Sequence, residues 1–217
     1  MTANTDSSFF TIASPKNPLI KVMVANGHFT TSNAHISQFI DVSELKSNVR
    51  IAKNAARELA LPYRARTLID MIVCMEGMET IAAFLADELL QDGALIMNEG
   101  GEIHVVAPMS NAGGQLIFHQ NVHYKINRRH ILLMVASVST GKTIRNAMEC
   151  IAYYGGGLAG VSAIFSTVPE VDGREVNALF TSADLPNYHS YKLNDCALCK
   201  QGLKLDAIVN SEGFSRI

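Results

Sequence analysis

Ile131-Leu-Leu-Met-Val-Ala-Ser-Val-Ser-Thr-Gly-Lys-Thr143 is the stretch on which the reading of this chain turns. His130–Val138 is the most apolar run of the sequence, as a strand covered on both faces would be. Small and hydroxylated residues follow at Ser139-Thr140-Gly141. Thr143–Tyr153 then continues with helical spacing until Gly155-Gly156-Gly157 stops it. Strand, short loop and helix start, in that order, suit an anion site. The loop turns the backbone N–H groups of Ser139, Thr140, Gly141, Lys142 and Thr143 toward one point, and the helix N-terminus adds the positive end of its dipole. Gly141 permits positive φ or a close backbone approach, and the hydroxyls of Ser139, Thr140 and Thr143 add donors. These five residues are the candidate phosphate-binding set.

Other readings of the same segment stand beside this one. Ala136–Thr143 fits a relaxed nucleoside-triphosphate loop with Ala at the first Gly. Against it, the next buried strand, Val161–Phe165, does not end in the Asp that such proteins use to hold Mg²⁺, and the motif sits late in the chain. A Ser/Thr-capped strand-to-helix turn with no ligand is the bland alternative.

Outward from this centre, strands alternate with helices. Upstream, Asn48–Leu61 reads as an amphipathic helix ended by Pro62, Leu68–Cys74 as an apolar strand broken only by Asp70, and Thr80–Leu90 as a second helix ended by Asp92-Gly93. Ala94–Met97 and Ile103–Ala107 read as short strands, Pro108–Gln115 as an exposed loop, and Lys125–His130 as a basic turn. Downstream lie a buried strand at Leu158–Phe165 and a short one at Ala178–Ser182. This alternation predicts an α/β fold with a mainly parallel central sheet flanked by helices. Residues 1–65 lack it and are expected to form an N-terminal tail and small hood, with 66–217 as core and C-terminal extension. Within the first piece, Met1–Pro18 reads as a loosely held tail, Asn26-Gly27 as a turn, and Ser43 as a helix cap. Arg50, Lys53, Arg57, Arg64 and Arg66 read as a solvated basic face, partly offset by Glu44 and Glu58.

Composition narrows the class. The 217 residues carry 18 Lys and Arg against 20 Asp and Glu, a net charge of −2, which offers no basic field for nucleic acid or an anionic membrane. No apolar run reaches the ~20 residues of a membrane helix. Met1–Ser8 is polar and acidic, unlike a secretory leader. Four Cys are too few for a disulfide scaffold. A cytoplasmic protein with reduced thiols is expected.

The central segment resembles the phosphoribosyl-diphosphate loop of type I phosphoribosyltransferases: an apolar strand, two acidic residues, an apolar pair, Thr-x-Gly-x-x, then a helix. Gly27-His-Phe-Thr-Thr-Ser-Asn-Ala-His-Ile-Ser37, with Phe39, Asp41, Leu45 and Ser47, is similar to the hood of the orotate phosphoribosyltransferases. Ile69–Gly77 looks like the strand and loop beneath the diphosphate, which puts Cys74, Met75, Glu76 and Gly77 at diphosphate-loop positions. Cys196-Ala-Leu-Cys-Lys-Gln-Gly202 is similar to a C-terminal motif of some members. The resemblance implies a phosphorylated ribose or nucleotide ligand, Mg²⁺ as cofactor, a homodimer, and transfer of phosphoribosyl to a nitrogenous base. The rival is a catalytically inactive phosphoribosyl- or nucleotide-binding regulatory protein.

Departures from the family pattern fall on the chemistry. The two acidic positions are Val135 and Ala136, and the stretch matching the catalytic loop, Ala107-Pro-Met-Ser-Asn-Ala-Gly-Gly114, has no charge. The sequence therefore assigns no catalytic residue, and Lys125, Arg128, Arg129 and His104 receive no role. No metal site is assigned either. Cys196-x-x-Cys199 has no second Cys pair, His189 lies at a non-standard spacing, and the pair reads as two thiols in a turn, with zinc shared across a dimer as the other possibility. Glu76 and Glu79 read as acidic residues that complement a helix dipole.

Overall fold

A computed structural model describes residues 9–75, 77–91, 97–111, 114–210 and 213–217. In chain order, the first strands are β1 (Phe9–Ala13), β2 (Lys21–Thr30) and β3 (Ala34–Asp41), followed by helices α1 (Ser43–Ser47) and α2 (Val49–Ala60). Then come β4 (Met71–Cys74), α3 (Glu79–Leu90), β5 (His104–Val106), β6 (Met109–Ser110), β7 (Leu116–Ile117) and α4 (Gln120–His123). The centre is β8 (His130–Val138), α5 (Lys142–Tyr153) and β9 (Gly157–Ser166), then β10 (Glu170–Val171) and β11 (Arg174–Thr181). The chain closes with β12 (Ser190–Lys192), α6 (Ala197–Lys200), β13 (Ala207–Asn210) and β14 (Gly213–Arg216).

The core is an α/β sandwich around a sheet ordered β10-β11-β9-β8-β4-β5, in which β11, β9, β8, β4 and β5 run parallel. β8 lies inside it and is buried continuously from Ile131 to Ala136, so its sequence cannot alternate. Its side chains divide between two layers. Leu132, Met134 and Ala136 face the core built with α2 and α3, and Ile131, Leu133 and Val135 face the core built with α5. Each fully buried Leu contributes roughly 2 kcal/mol relative to exposure. Helix α2 forms because Ala52, Ala55, Ala56 and Leu59 make one buried stripe. Asn48 caps it, its side chain accepting from the N–H groups of Arg50 and Ile51.

The hood is a second sheet, β12-β3-β2-β13-β14, with β1 on the same edge of β2 as β13. It takes three strands from each end of the chain, so β12, β13 and β14 join the N-terminal β1, β2 and β3.

Several local expectations are corrected. Asn26-Gly27 is not a turn but a bulge inside β2, where the register with β3 shifts. A Cβ on Gly27 would lie 2.7 Å from Asp206 Oδ2, and that carboxylate accepts the N–H of His28 at 2.7 Å. Five residues of the expected tail, Phe9–Ala13, are strand: β1 pairs with β2, and Ser14 is buried, donating to the Leu179 carbonyl at 2.9 Å. Ser43 does not cap α1; Asp41 accepts the N–H of Ser43 instead. Within the loop expected at Pro108–Gln115, Met109-Ser110 form β6, paired with β7 at Leu116-Ile117. The terminator Asp92-Gly93 and most of the strand at Ala94–Met97 lie outside the described residues, and Met97 is in a turn.

Two arginines of the supposed solvated face do other work. Arg57 Nε donates to Glu88 at 2.8 Å and Arg64 pairs with the same carboxylate, which is 2% exposed. They tie the end of α2 to α3.

Candidate functional site

The parallel sheet ends in a cavity of about 320 Å³, within the ordinary range of small-molecule sites. Its floor is the carboxyl end of β8, the Ser139–Thr143 loop and the start of α5. Its roof is the hood, through the β2–β3 turn at Thr31–Asn33, one face of β3 and the C-terminal Val209, Asn210 and Gly213.

The loop has the conformation its sequence predicts. Gly141 holds φ 73° at the N-cap of α5, a region that disfavours any residue with a Cβ. A Cβ there would also press on both methyls of Val171 at 3.0 Å. Val171 is fixed by the β10–β11 hairpin, whose Asp172-Gly173 turn has positive φ at both residues. Arg145 Nε bridges back to both Asp172 oxygens at 3.1 Å, and its Nη1 donates to the Thr140 carbonyl at 3.1 Å. The hydroxyl of Thr167 donates to the Ser139 carbonyl at 2.9 Å. The loop carbonyls are thus drawn outward. No side chain caps α5, which leaves its first N–H groups facing the cavity without an intrahelical acceptor.

All five predicted phosphate residues, Ser139, Thr140, Gly141, Lys142 and Thr143, line the cavity. Ala136 lines it as well, whereas Val135 is wholly buried in the opposite layer. Neither side chain offers an oxygen. Of the diphosphate-loop positions, Cys74, Met75 and Gly77 are not among the residues that line the cavity, and Glu76 lies outside the described residues. Burial, reinforced by Glu79, pushes the Cys74 thiol up to about 12, and its Sγ faces the Val106 carbonyl at 3.5 Å. Lys125, Arg128, Arg129 and His104 belong to the opposite end of the sheet, where Arg129 and His130 pair with Asp70.

Sequence reasoning missed Lys46, Asn33, Gln38 and Tyr188 as contributors. Lys46, from α1, lines the cavity, and its Nζ lies 3.5 Å from where a Cβ of Gly77 would stand. Lys142 Nζ donates to Asn33 Oδ1 at 3.1 Å, joining hood to floor. Gln38 is buried in the roof; its Nε2 donates to Asn26, and its Oε1 has no partner. Tyr188 packs edge-on against Phe165 at 4.8 Å, giving an aromatic wall. The alternation Ile36, Gln38, Ile40 was the available signal for a cavity-facing strand face.

The resemblance implied Mg²⁺, and the donor set does not fit a resident ion. Mg²⁺ is usually anchored by one or two protein carboxylates beside the substrate's phosphates; the Ala136 side chain supplies none, and Asp41 is the one carboxylate among the described lining residues. The sequence reading assigned no metal site and left Cys196 and Cys199 as two thiols in a turn; in the fold they meet His28 and His35, with all four potential ligand atoms within 4.8 Å of one another. The partners were hidden because they come from β2 and β3, more than 160 residues away.

No family model matches the sequence, and no curated protein matches it. Solved structures do. UMP synthase from Leishmania donovani superposes with a TM-score of 0.55 at 20% identity, over 75% of this chain and 34% of that one, so this chain spans about a third of that protein. Orotate phosphoribosyltransferase from Mycobacterium tuberculosis H37Rv, in complex with Fe(III) dicitrate, gives 0.50 at 16% identity over 76% and 92%. Adenine phosphoribosyltransferase from Thermoanaerobacter pseudethanolicus gives 0.50 at 15% over 66% and 88%. With its parallel sheet, anion loop after β8 and hood across the strand ends, the chain has the type I phosphoribosyltransferase fold.

Proposed function

We propose that this chain is an orotate phosphoribosyltransferase-like protein that binds a 5-phosphoribosyl ligand, with the 5′-phosphate held by the backbone N–H groups of Ser139–Thr143. The observation that carries the reading is the uncapped N-terminus of α5, opened by Gly141 at φ 73° onto a hood-covered cavity. Lys142 adds charge at the phosphate, and Phe165 with Tyr188 offers aromatic surface to a planar base. A crystal soaked in ribose 5-phosphate tests it: the phosphate belongs within hydrogen-bond distance of those N–H groups, and a loop closed over by its own side chains would refute the assignment.

Transfer to a nitrogenous base such as orotate is the second reading, and Lys46 beside Gly77 favours it, because a departing diphosphate needs a cation there. Against it stand Val135 and Ala136, which cannot stabilise positive charge on the ribose. Removing even one such stabilising group costs roughly 10²–10³ in rate, so the binding role is the stronger reading. Formation of orotidine monophosphate from orotate, diphosphoryl donor and Mg²⁺ separates the two. A homodimer belongs to the same proposal, and a monomer in sedimentation at micromolar concentration would defeat it.

A further inference from the structure

His28 lies on β2 just past the Gly27 bulge, and His35 on β3 just past the hairpin turn. Cys196 and Cys199 flank the first turn of α6. His28 and Cys196 are buried at 3% and 2% exposure, His35 sits at 9%, and Cys199 reaches the surface. The contacts converge on one point. His28 Nε2 is 3.2 Å from His35 Nδ1, 3.4 Å from Cys196 Sγ and 3.6 Å from Cys199 Sγ, and Cys199 Sγ is 3.3 Å from His35 Nδ1.

Hydrogen bonding alone does not account for this. His28 Nδ1 faces the Leu203 carbonyl at 3.0 Å. A carbonyl only accepts, so Nδ1 carries the proton and Nε2 presents a lone pair. Three neighbours crowd that single lone pair. A cation at the centre removes the conflict. With Zn–N of about 2.0–2.1 Å and Zn–S of about 2.3 Å, tetrahedral ligand atoms stand ~3.3 Å apart for two nitrogens and ~3.6 Å for nitrogen and sulfur. The four spacings above lie near these edges, and all four atoms fall within 4.8 Å of one another. The Leu203 carbonyl supplies the outer partner that fixes a ligating imidazole in the correct tautomer.

We propose that His28, His35, Cys196 and Cys199 form a structural Zn²⁺ site. Two imidazoles and two thiolates in a tetrahedron select zinc over hard cations, and four protein ligands leave no open position for catalysis. The ion ties α6 and the C-terminal strands to the β2–β3 hairpin, whose turn and whose partner β13 form part of the cavity roof. Binding displaces the two thiol protons to solvent, and Cys199 at the surface gives an entry path.

The test uses the full chain, purified under reductant, stripped with chelator and titrated with Zn²⁺ and separately with Co²⁺. One equivalent of zinc per chain is expected, with a rise in melting temperature. Co²⁺ is expected to give a thiolate-to-metal charge-transfer band and the intense visible bands of a tetrahedral site. Cys199→Ser and His35→Ala are expected to weaken binding by on the order of 100-fold, while Cys150→Ser, in the other layer, leaves it unchanged. Substoichiometric metal, a cobalt spectrum without a thiolate band, or undiminished binding in both ligand variants would each overturn the site. If a variant fails to fold, the cobalt spectrum of the unaltered chain decides alone.

Discussion

At the scale of single residues, Gly141 and Asp70 carry the most testable roles. Gly141 combines a left-handed backbone with a 3.0 Å approach to Val171. Gly141→Ala is expected to cost about 1–2 kcal/mol in denaturant unfolding and to weaken anion binding further, because the α5 N–H groups shift with the loop. A variant as stable and as competent as the parent would contradict the geometry. Asp70 sits at the far end of the sheet. Burial works to raise its carboxyl, but the backbone N–H and ring of His130, with Arg129, outweigh this and hold it below the usual carboxylate range. A depressed folded-state pKa adds stability that is fully present above the ordinary value of 3.8 and is lost as pH falls through the folded value. Asp70→Asn is therefore expected to cost about 1 kcal/mol at neutral pH, screened because the pair is partly exposed. It is also expected to flatten the acid limb of a stability–pH curve below about pH 4. An unchanged acid limb would remove Asp70 from the account.

At the scale of elements, α2 and α3 are joined by Glu88, whose carboxylate is held between Arg57 and Arg64. Arg64→Ala leaves a buried carboxylate with one partner, half exposed, and is expected to cost about 3 kcal/mol by urea unfolding; a loss under about 0.5 kcal/mol would show the pair to be incidental. The same helices show what a sequence can and cannot disclose. Helix α2 was legible because its apolar stripe and its Pro62 stop are local, and β8 because six consecutive buried residues, Ile131–Ala136, leave an unbroken apolar run. The buried role of Arg64 was not legible, since a surface arginine and one reaching a distant carboxylate look alike in one dimension. Asn26-Gly27 misled for a related reason. Glycine there makes room for the Asp206 carboxylate, 179 positions away, a contact that resembles a turn signal until the fold is known. The hairpin at Asp172-Gly173 was available in the sequence as a two-residue turn.

At the scale of the whole molecule, the floor of the site was legible and its roof was not. Ser139–Thr143 is contiguous, so its strand–loop–helix order could be read directly. The roof gathers Asn33, Gln38, Lys46, Tyr188 and Asn210 from segments spread along nearly the full chain, and the four residues of the proposed zinc site are divided in the same way. The central claim is that the cavity recognises the 5′-phosphate of a ribosyl ligand and is no longer assembled for Mg²⁺-assisted transfer. Isothermal calorimetry of the full chain with ribose, ribose 5-phosphate and 5-phosphoribosyl diphosphate, each with and without Mg²⁺, tests it most directly. Ribose is expected not to bind, ribose 5-phosphate to bind, and the diphosphate to improve on it by less than about tenfold, the worth of one rim cation, with Mg²⁺ changing neither. Ribose 5-phosphate binding no better than ribose, or a diphosphate that binds far more tightly and only with Mg²⁺, would contradict the claim.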